Sequence, residues 1–63
     1  MSPFNQTVVL VADDEPSTRT LVSNHLRTRG YEVLEAADGE EAWSLAQRHL
    51  PDLVVLDVMM PGM

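Results

Sequence analysis

Apolar residues fall along this chain in five blocks, and their spacing changes from block to block. Thr7-Val-Val-Leu-Val-Ala12 is a continuous run rich in β-branched residues, the pattern of a strand inside a sheet. Asp13-Asp14-Glu15-Pro16 interrupts it as a turn. Pro16 suits the first turn of a helix, where its missing N–H costs nothing, and Ser17 or an upstream acid is the expected cap. From there to about Arg29, Leu21, Val22, His25 and Leu26 recur at i, i+1, i+4 and i+5, the stripe of an amphipathic helix. Arg27 and Arg29 stand in its last turn, where cations favour the macrodipole, and Gly30 ends it. Tyr31 to Ala36 alternates only in part, with Val33 and Leu34 apolar and Glu32 and Glu35 polar. That predicts an edge strand, wetter than the other two. Asp38 followed by Glu41 is an Asp variant of the capping box. Ala42, Leu45, Ala46, His49 and Leu50 then follow at helical spacing until Pro51 stops the helix. Leu53-Val-Val-Leu56 is unbroken and apolar, so it reads as a strand buried on both faces. Pro61 and Gly62 force a loop beyond it.

The predicted order is βαβαβ. Helices between strands imply parallel pairing through right-handed crossovers, with a helix on each face. Placing the wet second strand at the edge gives the spatial order 2-1-3. The winding direction then reverses between the first and third strands, and the crevice beyond their C-terminal ends is the expected ligand site. Nothing in the chain repeats internally or reads as a linker.

Composition narrows the function. The chain has 63 residues, near the lower limit for a self-sufficient core. It has no cysteine, so a disulfide framework and a thiolate metal site are both excluded. Ten acids stand against four arginines and no lysine, a net charge of −6. Such a balance argues against nucleic-acid binding by this segment. Met1 to Gln6 is a polar lead-in, expected to be flexible, with neither the basic residues nor the apolar core of a signal peptide. No apolar run approaches membrane-spanning length. A soluble, cytoplasmic protein is the default expectation. Glu32, Glu35, Glu40 and Asp52 are read as solvating charges.

The acids at the strand ends are different. Asp57 follows directly on the apolar run Leu53 to Leu56, and Asp13 and Asp14 follow directly on Ala12. Packing alone would prefer Asn or Ser at the tip of a buried strand. Carboxylates brought together repel one another and call for a cation or shared protons. An all-oxygen donor set selects a hard metal, Mg²⁺ or Mn²⁺. Mg²⁺ keeps several waters and takes one or two protein carboxylates. A backbone carbonyl just after Asp57, such as that of Met59, would complete the shell. A carboxylate beside such a metal can attack phosphorus and form an aspartyl phosphate. The plainer alternative for Asp13, Asp14 and Asp57 is helix capping and solvation. Glu15 is divided equally between first-turn dipole stabilisation and a site role. Asp38 is read as a cap. His25 and His49 are read as packing residues beside Leu26 and Leu50, rather than ligands or phosphohistidines. Trp43 is expected to cover helix or sheet surface, and Met59, Met60 and Met63 to pack a loop.

Four segments in order carry a resemblance: Val-Ala-Asp13-Asp14-Glu15-Pro16, Gly30-Tyr31-Glu-Val, Ala37-Asp38-Gly39-Glu-Glu-Ala42, and Pro51-Asp52-Leu-Val-Val-Leu-Asp57-Val-Met-Met-Pro61-Gly62-Met63. Together they closely resemble the receiver domain of two-component response regulators, from Thr7 onward. The resemblance implies a flavodoxin-like α/β half-domain. The 2-1-3 strand order is part of the 2-1-3-4-5 order known for chemotaxis receivers. It implies that Asp57 is the phosphoacceptor, served by a histidine kinase. Asp14 is then a direct Mg²⁺ ligand, Asp13 acts mostly through metal-bound water, and Met59 supplies its backbone carbonyl. The chain is a phosphoacceptor rather than an enzyme on this reading. Residues 7–63 would be a receiver truncated after its third strand, lacking the Ser or Thr after strand four and the Lys after strand five.

A second function stays open: a half-domain that only self-assembles, without phosphotransfer. The absent lysine and hydroxyl favour it for the chain alone, and the acid triad favours the phosphoacceptor. A homodimer through the third strand is expected on either reading, since that strand would otherwise leave unpaired backbone groups and wet apolar surface. Parallel and antiparallel pairings are both open. A haloacid-dehalogenase-like phosphatase would want an acid two residues after its nucleophile, and Asp57 is followed by Val58 and Met59.

Overall fold

In the computed structural model, residues 6–56 are described. The elements run β1 (Val8–Ala12), α1 (Pro16–Thr28), β2 (Glu32–Ala36), α2 (Gly39–His49) and β3 (Leu53–Leu56). β1 is central and pairs in parallel with both neighbours, so the sheet order is β2-β1-β3. This is the expected topology. β1 and β2 each begin one residue later than the sequence pattern placed them. The loop expected at Pro61 and Gly62, the packing of Met59, Met60 and Met63, and most of the lead-in lie outside the described residues.

The core has two halves, one on each face of β1. Val9, Val11 and Val33 form one, covered by Val22 and Leu26 of α1 and by Tyr31. Leu10, Ala12, Ala36 and Ala42 form the other, covered by Leu34 and by Leu45 and Ala46 of α2. Strict alternation along β1 therefore feeds both helices.

The caps explain where the helices start and stop. Glu15 caps α1, its side chain accepting from the Ser17 N–H, and Arg29 closes the helix. Gly30 follows at φ 93°, a conformation that L side chains rarely adopt, although there is open space where a Cβ would stand. Asp38 Oδ1 accepts from the Glu41 N–H at 2.8 Å. The Glu41 carboxylate reaches back to the Ala37 N–H at 2.7 Å, one residue further than a standard capping box. Leu50, in the left-handed region at φ 47°, ends α2 before Pro51.

Several sequence expectations need correction. The inward face of α1 is Val22, Ser23 and Leu26 with Arg19 partly covered; Leu21 is 71% exposed and His25 is exposed. The helix is rotated by about one residue from the stripe read off its apolar positions. His49 and Leu50 are likewise exposed, so neither histidine packs. Trp43 stands largely in solvent, flanking a groove of about 310 Å³ between α2 and β3. β3 was expected to be buried on both faces, and β2 to be the wetter edge. Instead all four β3 residues are 39–55% exposed, because nothing among the described residues pairs with the outer edge of β3 or covers it. Asp52 is no idle solvating charge. Its Oδ2 accepts from the Val8 N–H at 2.8 Å, and its N–H donates to the Val8 carbonyl at 2.8 Å. That pair of bonds sets the register at the start of β1 and β3.

Candidate functional site

The site is built on the C-terminal ends of β1 and β3. In their parallel register Ala12 stands opposite Leu56. Each of these residues is followed in sequence by an acid, Asp13 and Asp57. Asp57 and Met59 lie outside the described residues, so the β1 side carries the observable geometry.

Asp13 is half-buried and held on three sides. Its N–H donates to the Ala36 carbonyl at 3.0 Å, just past the end of the β1–β2 ladder. Its Oδ1 accepts from the Glu15 N–H at 2.9 Å, and its carbonyl accepts from Arg19 Nη1 at 2.9 Å. One carboxylate oxygen is thus committed to the turn, and the other has no hydrogen bond among the described residues. Asp14 is exposed. The donor set at this tip is carboxylate oxygen only, which fits a hard divalent cation and not a soft one.

Glu15 has a different task. Its Oε1 accepts from the Ser17 Oγ at 2.6 Å and from the Ser17 N–H at 3.1 Å. These bonds, the hydroxyl one first, favour the carboxylate and hold its pKa below the usual glutamate value, with a smaller contribution from Arg19. The cap role is the one the structure supports. Asp38 is equally a cap, as expected, and stands at the start of α2.

Two residues of this region escaped the sequence reading. Arg19, on α1, bridges the Asp13 carbonyl and Glu35, with Nε 3.4 Å from Glu35 Oε1. Glu35, on β2, also pairs with Arg27 at 3.1 Å, so it is not merely solvating. A signal existed only for half of this arrangement: Arg19 follows Glu15 at i+4, on the helix face that turns inward. Its partner sixteen positions on, in another element, has no periodicity to reveal it.

No described helix is long and apolar enough to cross a membrane. Comparison with known proteins places these features. Residues 9–63 match the response regulator receiver domain family. The chain is 54% identical over 58 residues to the "Probable transcriptional regulator ycf27" of Cyanophora paradoxa, covering 92% of this chain and 24% of that protein. It is 53% identical over 53 residues to the alkaline phosphatase synthesis transcriptional regulatory protein PhoP of Bacillus subtilis, covering 84% and 22% respectively. The chemotaxis response regulator CheY4 of Vibrio cholerae superposes with a TM-score of 0.90 at 46% identity, over 94% of this chain and 49% of that one. The chain therefore spans about a quarter of these curated relatives and about half of this solved receiver. With the sheet order, the paired strand tips and the family match in agreement, the chain belongs to the response regulator receiver domain family of two-component signalling.

Proposed function

We propose that Asp57 is the phosphoacceptor of a two-component relay, with Asp13, Asp14, Asp57 itself and the backbone carbonyl of Met59 holding Mg²⁺ or Mn²⁺. The observation that carries this reading is the level ending of β1 and β3, Ala12 against Leu56, with an acid next in sequence on each strand. Receiver domains interact with histidine kinases, generally bind Mg²⁺ for phosphorylation and are not classical enzymes. In the transfer, a carboxylate oxygen of Asp57 forms the new P–O bond, the P–N bond to the kinase histidine breaks, and the released imidazole takes up a proton. The metal, when bound, offsets charge on the phosphoryl oxygens. Asp13 and Asp14 would anchor it from the β1 tip. A cytoplasmic location fits this role, and the net charge of −6 argues against DNA binding by this segment.

Intact-mass measurement after treatment with an acyl phosphate and Mg²⁺ tests the acceptor. A longer chain that carries the receiver's second half is expected to gain one phosphoryl group, and its Asp57→Asn variant none. The 63-residue chain is expected to label poorly, since it has no lysine to pair with the phosphoryl group. Labelling that persists in Asp57→Asn overturns the assignment.

A second reading applies to the 63-residue chain by itself: self-association through β3. Leu53, Val54, Val55 and Leu56 are exposed at the sheet edge, and Leu10, Ala42, Ala46, Val54 and Leu56 line the groove beside it. An apolar edge strand is a template for another strand, and in a solution of this chain alone a second copy supplies it. Sedimentation equilibrium at tens of micromolar is expected to give a dimer. A folded monomer with Leu53 to Leu56 protected from amide exchange overturns this reading.

A further inference from the structure

We infer that Arg19 is a positioning residue for the Asp13–Asp14 pair: its guanidinium fixes the peptide that joins the two acids, and Glu35 holds the guanidinium in place. This rests on the metal reading above, and concerns what makes those two carboxylates a defined site instead of a mobile acidic turn.

The carbonyl that accepts from Arg19 Nη1 belongs to the peptide between Asp13 and Asp14. The preceding peptide, between Ala12 and Asp13, is tied through its N–H to the Ala36 carbonyl. With both peptides anchored, the backbone directions from which the two side chains leave are set by β1, β2 and α1 together. Arg19 is suited to this by its fork: one nitrogen reaches the carbonyl while Nε faces Glu35 at 3.4 Å. Its side chain is only 20% exposed, so the guanidinium is packed among these partners and is not a free surface charge. Glu35 is steadied in turn by Arg27. Groups that orient ligands without touching the metal typically change affinity by about 10- to 100-fold when lost.

A purely electrostatic role predicts the opposite sign. Arg19 is a cation beside an acidic site, and removing it would strengthen attraction for a divalent cation. Positioning predicts weaker binding on removal, and predicts that Lys, which keeps the charge but not the fork, does not restore it.

The experiment titrates Mn²⁺ into the chain and into Arg19→Ala, Arg19→Lys, Glu35→Gln and Asp14→Asn, at a temperature where each is folded. Affinity is read from paramagnetic broadening of the Asp13 and Asp14 amides. We expect Kd to rise about tenfold in Arg19→Ala, and by smaller factors in Arg19→Lys and Glu35→Gln. The metal-free amide shifts of Asp13 and Asp14 should move more than those of Val9 and Val33, which general destabilisation would not produce. Where Arg19→Ala does not fold, Arg19→Lys carries the test. Unchanged or tighter Mn²⁺ binding in the Arg19 variants, with Asp14→Asn weakened, overturns the positioning role alone. Undiminished binding in Asp14→Asn overturns the metal reading and this inference with it.

Discussion

Replacing Ser23 by alanine is expected to stabilise the protein. Ser23 is fully buried on the face of α1 that also carries Val22 and Leu26, and its Oγ has no hydrogen-bond partner among the described residues. An unpaired hydroxyl taken from water costs about 1–3 kcal/mol by mutational measures. Ser23→Ala removes that cost and keeps the Cβ. Against the gain, the Oγ gives up its dispersion contacts at about 0.1–0.2 kcal/mol per atom pair, over several pairs. Alanine adds up to about 0.5 kcal/mol of helix propensity over serine. The balance is a stabilisation of about 1 kcal/mol. For a domain of this size that raises Tm by about 4–8 °C. Thermal denaturation followed by circular dichroism, at one protein concentration for both chains, measures it; fixed concentration matters because association would shift Tm by mass action. A lower Tm for Ser23→Ala would refute the reasoning, since it would mean that the hydroxyl is satisfied and contributes to the α1–sheet contact. Ser23→Val provides the complementary check: it adds bulk where there is no exposed surface, and is expected to destabilise by about 1–3 kcal/mol.

Other outcomes follow from the caps and the strand anchors. Glu15 has a depressed pKa in the folded state, so its contribution to stability is complete above its ordinary value of 4.5 and is lost as pH falls through the folded pKa; Ser17→Ala is expected to move that titration up toward 4.5, read from the Glu15 side-chain carbon shift. Asp38→Ala removes the acceptor for the Glu41 N–H and is expected to cost about 1 kcal/mol in urea denaturation, with Asp38→Asn recovering most of it. Asp52→Ala breaks the bond to the Val8 N–H and is expected to cost about 1 kcal/mol, with faster amide exchange at the start of β1 and β3. Leu50→Gly relieves a left-handed leucine whose side chain packs on little, and is expected to be neutral or stabilising by about 0.5 kcal/mol, because relief of backbone strain is partly offset by the extra freedom of an unfolded glycine.

The central place of β1 and the acid pair at its end were legible in the sequence, whereas the order 2-1-3 was reached from a wetter β2 and a buried β3, and β3 is the more exposed of the two. The β1 run is short, apolar and closed by charged turn residues, so its end, and with it Asp13 and Asp14, is fixed to within a residue. The caps were legible because each is local: Asp38 and Glu41 are three positions apart, and Gly30 sits where a helix must turn. What failed was phase. Leu21, Val22, His25 and Leu26 carry the apolar character of α1, yet Arg19, Val22, Ser23 and Leu26 face the sheet. Ser23 is fully buried and the Arg19 side chain is only 20% exposed, and hydropathy counts both as outward. The Arg19–Glu35 pair was invisible for a related reason, since its two halves belong to elements that only the fold brings together.

β3 shows the limit from the other side. An unbroken apolar run reports the environment that a strand is suited to, and says nothing of which neighbour supplies it. Leu53 to Leu56 are suited to burial on both faces, as β1 is, but among the described residues β1 has a partner on each side and β3 has one. Val54 and Leu56 lie on the α2 face and share a groove with Trp43, while Leu53 and Val55 stand opposite Val9 and Val11 on the α1 face. Exposure on both faces and along one edge is therefore a single fact with a single cause. Any partner that relieves it has to bring a strand for the edge and apolar cover for each face, which a small ligand in the groove does not provide.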